Sequence, residues 1–177
     1  MFSTDRMTLR KVTEEDTEIY HSWRNNPEVM KNTSPSMDQY TKADTAAFIQ
    51  MISGASDAKS YMIELKETSQ PIGIISLIHI DYKNRHAECV IDLGEQKQWG
   101  KGFGREAMQL LLAYAFEELN LHKVYLRVFS FNERAVRLYK KLGFEIEGEQ
   151  RDQLFRDGDW HSVILMGIFQ ETFLRES

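Results

Sequence analysis

The stretch WGKGFGREA, residues 99–107, places three glycines directly in front of a long apolar pattern of helical period. Glycine disfavours helix interiors, so three of them here indicate a tight turn or a backbone that a ligand approaches closely. A helix N-terminus carries unpaired amides and about half a positive charge, which together bind phosphate. Lys101 and Arg105 add positive charge beside it. The stretch therefore predicts either an anion-binding turn or a plain loop with solvated basic residues.

The glycine turn matches neither of two well-known phosphate-binding motifs in full. The Walker pattern requires Ser or Thr after its Gly-Lys pair, whereas Lys101 is followed by Gly102. The dinucleotide pattern G-x-G-x-x-G/A is met by Gly102, Gly104 and Ala107, but it also needs an acidic residue at the end of the next strand. That strand ends in VFSFN, without an acid. The dinucleotide match is therefore interpreted as accidental.

Apolar periodicity along the chain predicts an α+β domain with a mixed sheet. Strand-like runs lie at 60–65, 72–80, 87–93, 123–129, 144–150 and 160–169. The first three are joined by short turns, which favours an antiparallel meander. Helical periodicity and caps predict helices over 12–23, 41–52, 105–119 and 132–143. Because 42% of the 177 residues are hydrophobic, residues 1–177 are expected to form a single domain with a sizeable core.

The overall composition argues against several classes of partner. The net charge of −5 makes a nucleic-acid-binding surface a poor expectation. Cys89 is the only cysteine, and the five histidines offer no metal pair at helical spacing, so we expect neither a disulfide nor a metal site. The first residues lack the apolar core of a signal peptide, and the longest apolar stretch, 72–80, is far short of a membrane span. We expect a cytoplasmic protein that binds no nucleic acid, membrane or metal.

Two sequence blocks on either side of the strand KVYLRVF resemble the acetyl-CoA-binding half of the GNAT N-acetyltransferases. The turn of that family reads Gln/Arg-x-x-Gly-x-Gly/Ala; Gly102 and Gly104 take the glycine places, and Trp99 stands in the first place. The motif WGKG, residues 99–102, resembles the turn of the branch that contains ribosomal-protein N-terminal and spermidine acetyltransferases. The resemblance covers residues 60–169 well and the first 60 residues weakly. The second block, Asn-x-x-Ala-x-x-x-Tyr-x-x-x-Gly-Phe, is matched by Asn132, Ala135, Tyr139, Gly143 and Phe144.

This resemblance implies a fold, a reaction and a cofactor site. The fold would be a mixed, mostly antiparallel central sheet of six to seven strands flanked by about four helices. The reaction would be direct attack of a primary amine on acetyl-CoA in a ternary complex, without a metal. The backbone near Asp92 would hold the oxyanion. The residues that the resemblance implies for acetyl-CoA binding are Ile91, Asp92, Leu93, Trp99, Gly100, Lys101, Gly102, Phe103, Gly104, Arg105, Asn132 and Ala135.

Acetyl transfer to an amine needs a proton donor for the departing thiolate and a way to remove the amine proton. A primary amine of pKa near 10.4 is only about 0.04% neutral at pH 7. The enzyme must therefore bind that minority form or supply a base. Tyr139 resembles the tyrosine whose phenol lies near the cofactor sulfur in this family, which implies that it is the proton donor. Its spacing with Ala135 and Leu142 also fits a core aromatic residue on an amphipathic helix.

The strand at 87–93 supplies the candidate base. Alternation puts Glu88, Val90 and Asp92 on one face. Glu88 resembles the glutamate that spermidine acetyltransferases carry here, which implies a base acting through water or an anchor for the amine; the alternative is a surface glutamate. Glu88 and Asp92 would lie about 13 Å apart, too far for joint action on one bond. The Asp92 side chain either binds the amine or has no role. Cys89 faces the expected core without a partner histidine and is rejected as a nucleophile.

The acceptor amine is open between several classes. The segments NRHAE, LNLHKVYL and DGDWHSVILM resemble spermidine acetyltransferases, which implies a polyamine whose ammonium groups the acidic run at 14–18 could hold. Residues 31–43 are poor in acids where the polyamine-binding region of that family is strongly acidic, which argues against a polyamine. The alternatives are a peptide N-terminus and an amine of an amino sugar or antibiotic. A non-catalytic module that senses acetyl-CoA is an alternative of another class. We also expect a homo-oligomer, a dimer or larger.

Overall fold

The computed structural model describes residues 1–176, which form one mixed β-sheet with helices packed on it. The order across the sheet is β1-β2-β3-β4-β5-β7-β6, and every neighbouring pair is antiparallel except β4 and β5. The predicted mixed, mostly antiparallel sheet is confirmed. Only β1 was not predicted, because its five residues alternate too briefly to stand out. The strands are β1 (Met7–Lys11), β2 (Lys59–Leu65), β3 (Pro71–Asp81), β4 (His86–Leu93), β5 (Lys123–Phe129), β6 (Glu145–Arg156) and β7 (Asp159–Phe169).

The helices within residues 1–176 are α1 (Thr17–Arg24), α2 (Pro27–Met30), α3 (Lys42–Gly54), α4 (Phe103–Ala113), α5 (Glu133–Lys141) and α6 (Gln170–Glu176). A 3-10 turn, Glu14–Asp16, precedes α1, and a π-helical turn, Tyr114–Glu118, follows α4. The helix predicted over 12–23 therefore starts later than expected, because the capping box between Thr13 and Asp16 opens the 3-10 turn rather than α1. The four main helices, α1, α3, α4 and α5, were predicted, whereas the short α2 and α6 were not. None of the described helices is long and apolar enough to cross a lipid bilayer.

The central feature of the sheet is the point where β4 and β5 part. Their parallel ladder is short and ends at the pair Glu88–Tyr125. β4 then continues to Leu93 against β3, while β5 continues to Phe129 against β7. Along the rest of β4, the backbone groups that point away from β3 therefore have no strand partner within residues 1–176. A gap therefore opens in the middle of the sheet, between the two strands that the α4 segment connects.

One face of β4 is covered by α4. Cys89 is buried in the main core, and its Sγ lies 3.4 Å from Sδ of Met108 on α4. Burial raises the pKa of the Cys89 thiol, so the thiol stays protonated and is a poor nucleophile. Strand alternation puts Glu88, Val90 and Asp92 on the opposite face, away from α4.

A close contact between Trp23 and Gly94 ties the N-terminal helices to the end of β4. Trp23 lies on α1, is 2% exposed, and belongs to a second core cluster that also contains Ile49 of α3. Gly94 follows β4 directly, and a Cβ placed on it would lie 2.0 Å from the Trp23 ring. Only glycine lets the indole lie directly on the backbone at this point. The contact therefore positions α1 beside the gap.

Replacing Gly94 with alanine should destabilise the protein by about 1–3 kcal/mol, because the added methyl group overpacks against the Trp23 indole. Thermal unfolding followed by circular dichroism measures the loss. Gly54→Ala is the matched control, since nothing lies within 4 Å of a Cβ there and the last turn of α3 favours alanine over glycine. Equal melting temperatures for the two variants would contradict the importance of the contact.

Candidate active site

The turn between β4 and α4 holds two glycines in conformations that other residues rarely adopt. Gly100 has a φ of +78° and Gly102 a φ of +89°, and Gly102 is the N-cap of α4. The first hydrogen bond of the helix runs from the Glu106 amide to the Gly102 carbonyl, at 3.1 Å. The amides of residues 103–105 precede that bond, so they are the groups that a helix N-terminus offers to an anion.

Arg6 braces this turn from the N-terminal segment. Its guanidinium donates to the Lys101 carbonyl at 2.9 Å, forms an ion pair with Glu106 and lies 4.3 Å from the centre of the Phe103 ring. The ion pair neutralises the acidic side chain in the first turn of α4. The side chains of Lys101 and Arg105 stay exposed. Positive charge therefore remains at the end of the helix where the unpaired amides lie.

The end of β4 lies against both the glycine turn and α5. The indole N–H of Trp99 donates to the Leu93 carbonyl at 2.8 Å. A Cβ placed on Gly104 would lie 3.4 Å from a methyl group of Leu93 and 3.9 Å from one of Leu138 on α5. Ile91 and Leu93 are half-buried against the main core. The residues of β4 and α4 that the sequence suggests for coenzyme binding are thus neighbours at the gap.

Asn132 and Ala135 lie at the start of α5. The Asn132 side chain accepts a hydrogen bond from the Ala135 amide at 3.2 Å and so caps the helix; it also donates to the Asn32 carbonyl at 3.4 Å. Arg134 lies close to the glycine turn, since a Cβ on Gly100 would be 3.7 Å from its guanidinium. Sequence reasoning gave no role to Arg134 or to Arg6, because nothing in their spacing relates them to the turn.

Tyr139 lies on α5 at the edge of the main core. Its ring packs against Phe144, with 5.9 Å between the ring centres. Burial raises the pKa of the Tyr139 phenol, and the neighbouring Cys89 and Asp92 raise it further. The phenol is therefore protonated at neutral pH, which is the form that a proton donor needs.

A cavity of about 500 Å³ lies on the Asp92 side of β4. Its walls come from α1, the segment 33–40, α3 and β4. Val90 and Asp92 face it together because they share one face of the strand. Its principal side chains are Tyr20, Arg24, Tyr40, Phe48, Val90 and Asp92.

Asp92 brings a buried carboxylate into this cavity. Burial raises the pKa of its carboxyl group, and a hydrogen bond from Thr33 opposes part of that rise. Its Oδ1 atom is buried and has no hydrogen-bond partner within residues 1–176. A buried polar atom without a partner is costly. Asp92 is therefore placed to receive a hydrogen-bond donor from a ligand.

Arg24 brings a positive charge into the same cavity. Its guanidinium carbon lies 3.6 Å from the centre of the Tyr40 ring and 5.0 Å from that of Phe48. Asn25 holds Tyr40 through two hydrogen bonds with the Tyr40 backbone, at 2.8 and 3.0 Å. In the part of the chain that the structure describes, Nη1 of Arg24 is buried and has no hydrogen-bond partner. Sequence reasoning missed Arg24, because a single arginine among polar residues carries no periodic signal.

Arg156, on the edge strand β6, binds the backbone of the segment that forms one wall of the cavity. It ends β6, is 8% exposed, and donates to the Lys31 carbonyl and, at 2.6 Å, to the Ser34 carbonyl. These bonds fasten the segment that leads into residues 33–40 against the β6–β7 hairpin. The shape of the cavity thus depends on a residue far away in the chain.

Glu88, the candidate base, lies outside the lining of the cavity. It is 5% exposed, so the alternative of a surface glutamate does not hold. One carboxylate oxygen accepts from Nε of Arg127 on β5 at 2.9 Å, and the other lies 3.2 Å from Nδ1 of His79 on β3. Asp92 thus lines the cavity and Glu88 does not. The Glu88 carboxylate instead binds the side chains of Arg127 and His79.

The acidic run at 14–18 also lies away from the cavity lining. Asp16 is buried in an ion pair with Arg10, at 2.7 Å. Glu18 forms an exposed ion pair with Lys42, at 2.6 Å. Residues 14–18 therefore do not provide carboxylates that could bind the ammonium groups of a polyamine in this cavity.

Replacing Asp92 with asparagine should stabilise the folded protein at neutral pH by about 1 kcal/mol, or roughly 2–4 °C in Tm, because it removes a buried acidic group whose Oδ1 atom has no donor. The folded-state pKa of Asp92 is raised, so the folded protein binds more protons than the unfolded chain, and this group lowers stability as the pH rises from 3.8. The gain should therefore shrink as the pH falls towards 3.8. Melting curves across this pH range measure it.

The exposed Asp159, at the start of β7, provides the control for this experiment. Asp159→Asn should change the free energy of unfolding by no more than about 0.5 kcal/mol at every pH, as surface substitutions usually do. A loss of stability in Asp92→Asn at neutral pH, or a gain that does not depend on pH, would contradict the raised pKa of Asp92 in the folded protein.

Comparison with known proteins relates these features to a family. The family model described as Acetyltransferase (GNAT) domain matches residues 6–145. The uncharacterized N-acetyltransferase p20 of Bacillus licheniformis is 37% identical over 172 residues, which cover 96% of each chain. Spermidine N(1)-acetyltransferase of Escherichia coli K12 is 31% identical over 180 residues, which cover 99% of this chain and 92% of that protein.

A solved structure shows the same likeness in three dimensions. The spermidine N-acetyltransferase from Vibrio cholerae, in complex with CoA and spermine, superimposes with a TM-score of 0.89 at 30% identity. The match covers 97% of this chain and 99% of that one. The similarity therefore extends over nearly the whole chain, beyond the region that the two sequence blocks mark.

Proposed function

This chain belongs to the GNAT family of acetyltransferases, and we propose that it transfers the acetyl group of acetyl-CoA to the primary amine of a small molecule bound beside Asp92. The observation that carries the proposal is the gap between β4 and β5. The glycine turn lies at the end of β4, and the cavity with the unpaired Asp92 oxygen lies on one face of the same stretch of strand. An amine in the cavity would reach a thioester held in the gap.

The coenzyme binds at the glycine turn in this proposal. The amides of residues 103–105 hold the diphosphate, and Lys101, Arg105 and Arg134 supply positive charge around it. The amide groups of the pantetheine arm pair with those backbone groups of β4 that point away from β3, along the part of the strand where β5 has left it. The acetyl group then lies next to Asp92 and Tyr139.

Asp92 and Tyr139 carry the proton transfers. Asp92 binds the ammonium form of the acceptor and takes one proton, for which its raised pKa makes it a better base than an ordinary aspartate. The neutral nitrogen attacks the thioester carbonyl, while a backbone amide of β4 stabilises the oxyanion. The C–N bond forms, the C–S bond breaks, and Tyr139 gives its phenolic proton to the thiolate. One of the two protons lost by the ammonium group restores Tyr139, and the other leaves to solvent.

We assign the base to Asp92 rather than to Glu88. Both oxygens of Glu88 already have partners in Arg127 and His79, and Glu88 does not line the cavity. Glu88 lies at the last residue pair of the β4–β5 ladder. In this position its carboxylate joins side chains of the two neighbouring strands, Arg127 of β5 and His79 of β3.

The acceptor is a small primary amine, and two observations point in different directions within that class. The E. coli and V. cholerae relatives are named spermidine acetyltransferases, which favours a polyamine. The charged residues in the cavity lining are Arg24, Asp38 and Asp92, a set with little excess of acid. Peptide N-termini and amino sugars therefore belong in the same acceptor screen as spermidine. The homo-oligomer expected from the sequence stays a prediction.

Binding of CoA tests the coenzyme site directly. Gly102→Val should weaken CoA binding at least tenfold in calorimetry, because a β-branched residue disfavours the φ of +89° and its Cβ would lie 3.3 Å from the Arg6 guanidinium. Gly158→Val is the matched control: Gly158 has a φ of +86° with nothing within 4 Å of a Cβ, so it introduces similar strain far from the turn. Absence of CoA binding by the unaltered protein, or equal weakening in both variants, would overturn the site.

Turnover tests the proton donor. Tyr139→Phe should lower kcat about 10²–10⁴-fold, measured as free thiol released from acetyl-CoA, and should leave the Kd of CoA nearly unchanged. Tyr82→Phe, at an exposed tyrosine in the β3–β4 turn, is the control and should keep full activity. Full activity in Tyr139→Phe would remove the assigned role. A protein that binds CoA but releases no thiol with any amine would be a non-catalytic module instead.

A further inference from the structure

The cavity beside β4 contains two buried atoms of opposite charge that both lack a partner. Oδ1 of Asp92 and Nη1 of Arg24 have no hydrogen-bond partner within residues 1–176, and the two groups do not bond to each other. Both residues line the same cavity of about 500 Å³. A buried charged atom without a partner is unfavourable, so two such atoms in one cavity indicate a ligand that satisfies both.

The surroundings of Arg24 explain why its charge stays in the cavity. The guanidinium stacks on Tyr40 and lies beside Phe48, which fixes its plane without using its N–H donors. Asn25 in turn holds the backbone of Tyr40. Guanidinium groups bind carboxylates and phosphates well, because their N–H donors match two oxygens of such a group. The free Nη1 of Arg24 therefore suits an oxyanion.

The same arginine disfavours a ligand that carries only positive charge. A polyamine that extends from Asp92 along the cavity would bring a second ammonium group towards Arg24, and like charges at short range repel. Tyr20, Met30 and Val90 supply apolar surface in the same lining, which suits a short carbon skeleton. Besides Asp92 and Arg24, Asp38 is the one charged residue in the lining, and it is exposed. The buried pair of Asp92 and Arg24 is thus complementary to a molecule that carries both an amine and an oxyanion.

We propose that the acceptor carries an oxyanion, a carboxylate or a phosphate, on the same molecule as its amine, and that Arg24 binds this oxyanion while Asp92 binds the amine. Amino acids and phosphorylated amino sugars are the two sources of this chemistry. The proposal rests on the proposed acetyl transfer and narrows its substrate class. Arg24 is a residue that determines specificity, and it takes no part in the proton transfers.

The test compares amines in pairs that differ only in the oxyanion. The pairs are lysine with cadaverine, tyrosine with tyramine, phenylalanine with phenethylamine, and glucosamine 6-phosphate with glucosamine; spermidine is the polycation. Thiol release from acetyl-CoA gives kcat/KM for each. We expect the oxyanion member of at least one pair to exceed both its partner and spermidine at least tenfold. The first three pairs report a carboxylate, and the fourth reports a phosphate.

Variants of Arg24 show whether this side chain causes the preference. Arg24→Gln should lower kcat/KM for the favoured oxyanion substrate at least tenfold and should change that of its partner less than twofold. Arg24→Lys keeps a charge without the planar pair of donors and should recover part of the loss. Arg175→Gln, at an exposed residue on α6, is the control. An unchanged Kd for CoA in each variant shows that the fold is intact.

The outcomes separate this proposal from the proposed function. If spermidine or the members without an oxyanion are acetylated best, or if Arg24→Gln leaves the preference unchanged, the role of Arg24 is overturned while acetyl transfer stands. If CoA binds but none of the amines causes thiol release, the proposed function fails and this inference fails with it.

Discussion

The short parallel ladder between β4 and β5 is the constraint on which the rest of the structure depends. Because the ladder ends at Glu88 and Tyr125, the last residues of β4 keep backbone groups that no strand of the described chain satisfies. The glycine turn, the start of α4 and the start of α5 all lie around that opening. A fully paired sheet would have no such gap between these strands.

The N-terminal part of the chain encloses a cavity beside this opening, on the face of β4 that carries Asp92. Trp23 lies directly on Gly94, and this contact places α1 next to the end of β4. Asn25 holds Tyr40, and Arg156 holds the carbonyls of residues 31 and 34. The cavity is therefore shaped by contacts between segments, whereas the bend of the glycine turn comes from the positive φ angles of Gly100 and Gly102 within one stretch of sequence.

This difference explains how far the sequence alone leads. The strands other than β1, the main helices and the glycine turn follow from local periodicity and from residues that demand a special backbone, so they were predicted. The change of α4 into a π-helical turn at Tyr114–Glu118 has no such signal, and the expected single helix over 105–119 was an incomplete prediction. Sequence reasoning singled out Glu88 but could not predict its ion pair, because its partner Arg127 lies on another strand, 39 residues further along the chain.

The cavity could not be predicted for the same physical reason. Arg24 stands in a polar segment without periodicity, and its position is set by Tyr40 and by Phe48 of a different helix. Arg156 reaches the Lys31 carbonyl across 125 residues of chain. Hydrophobic patterns record which face of an element is buried, but they do not record which segments a distant side chain joins.

The bonds from Arg156 end on main-chain carbonyls, which every amino acid possesses. Residues 31–34, of which Thr33 and Ser34 line the cavity, are therefore held in place independently of the side chains that they carry. Substitutions in this segment would alter the chemistry presented to a ligand without moving the wall itself. The side chains that line the cavity could therefore vary between related proteins while the glycine turn and the sheet keep their arrangement.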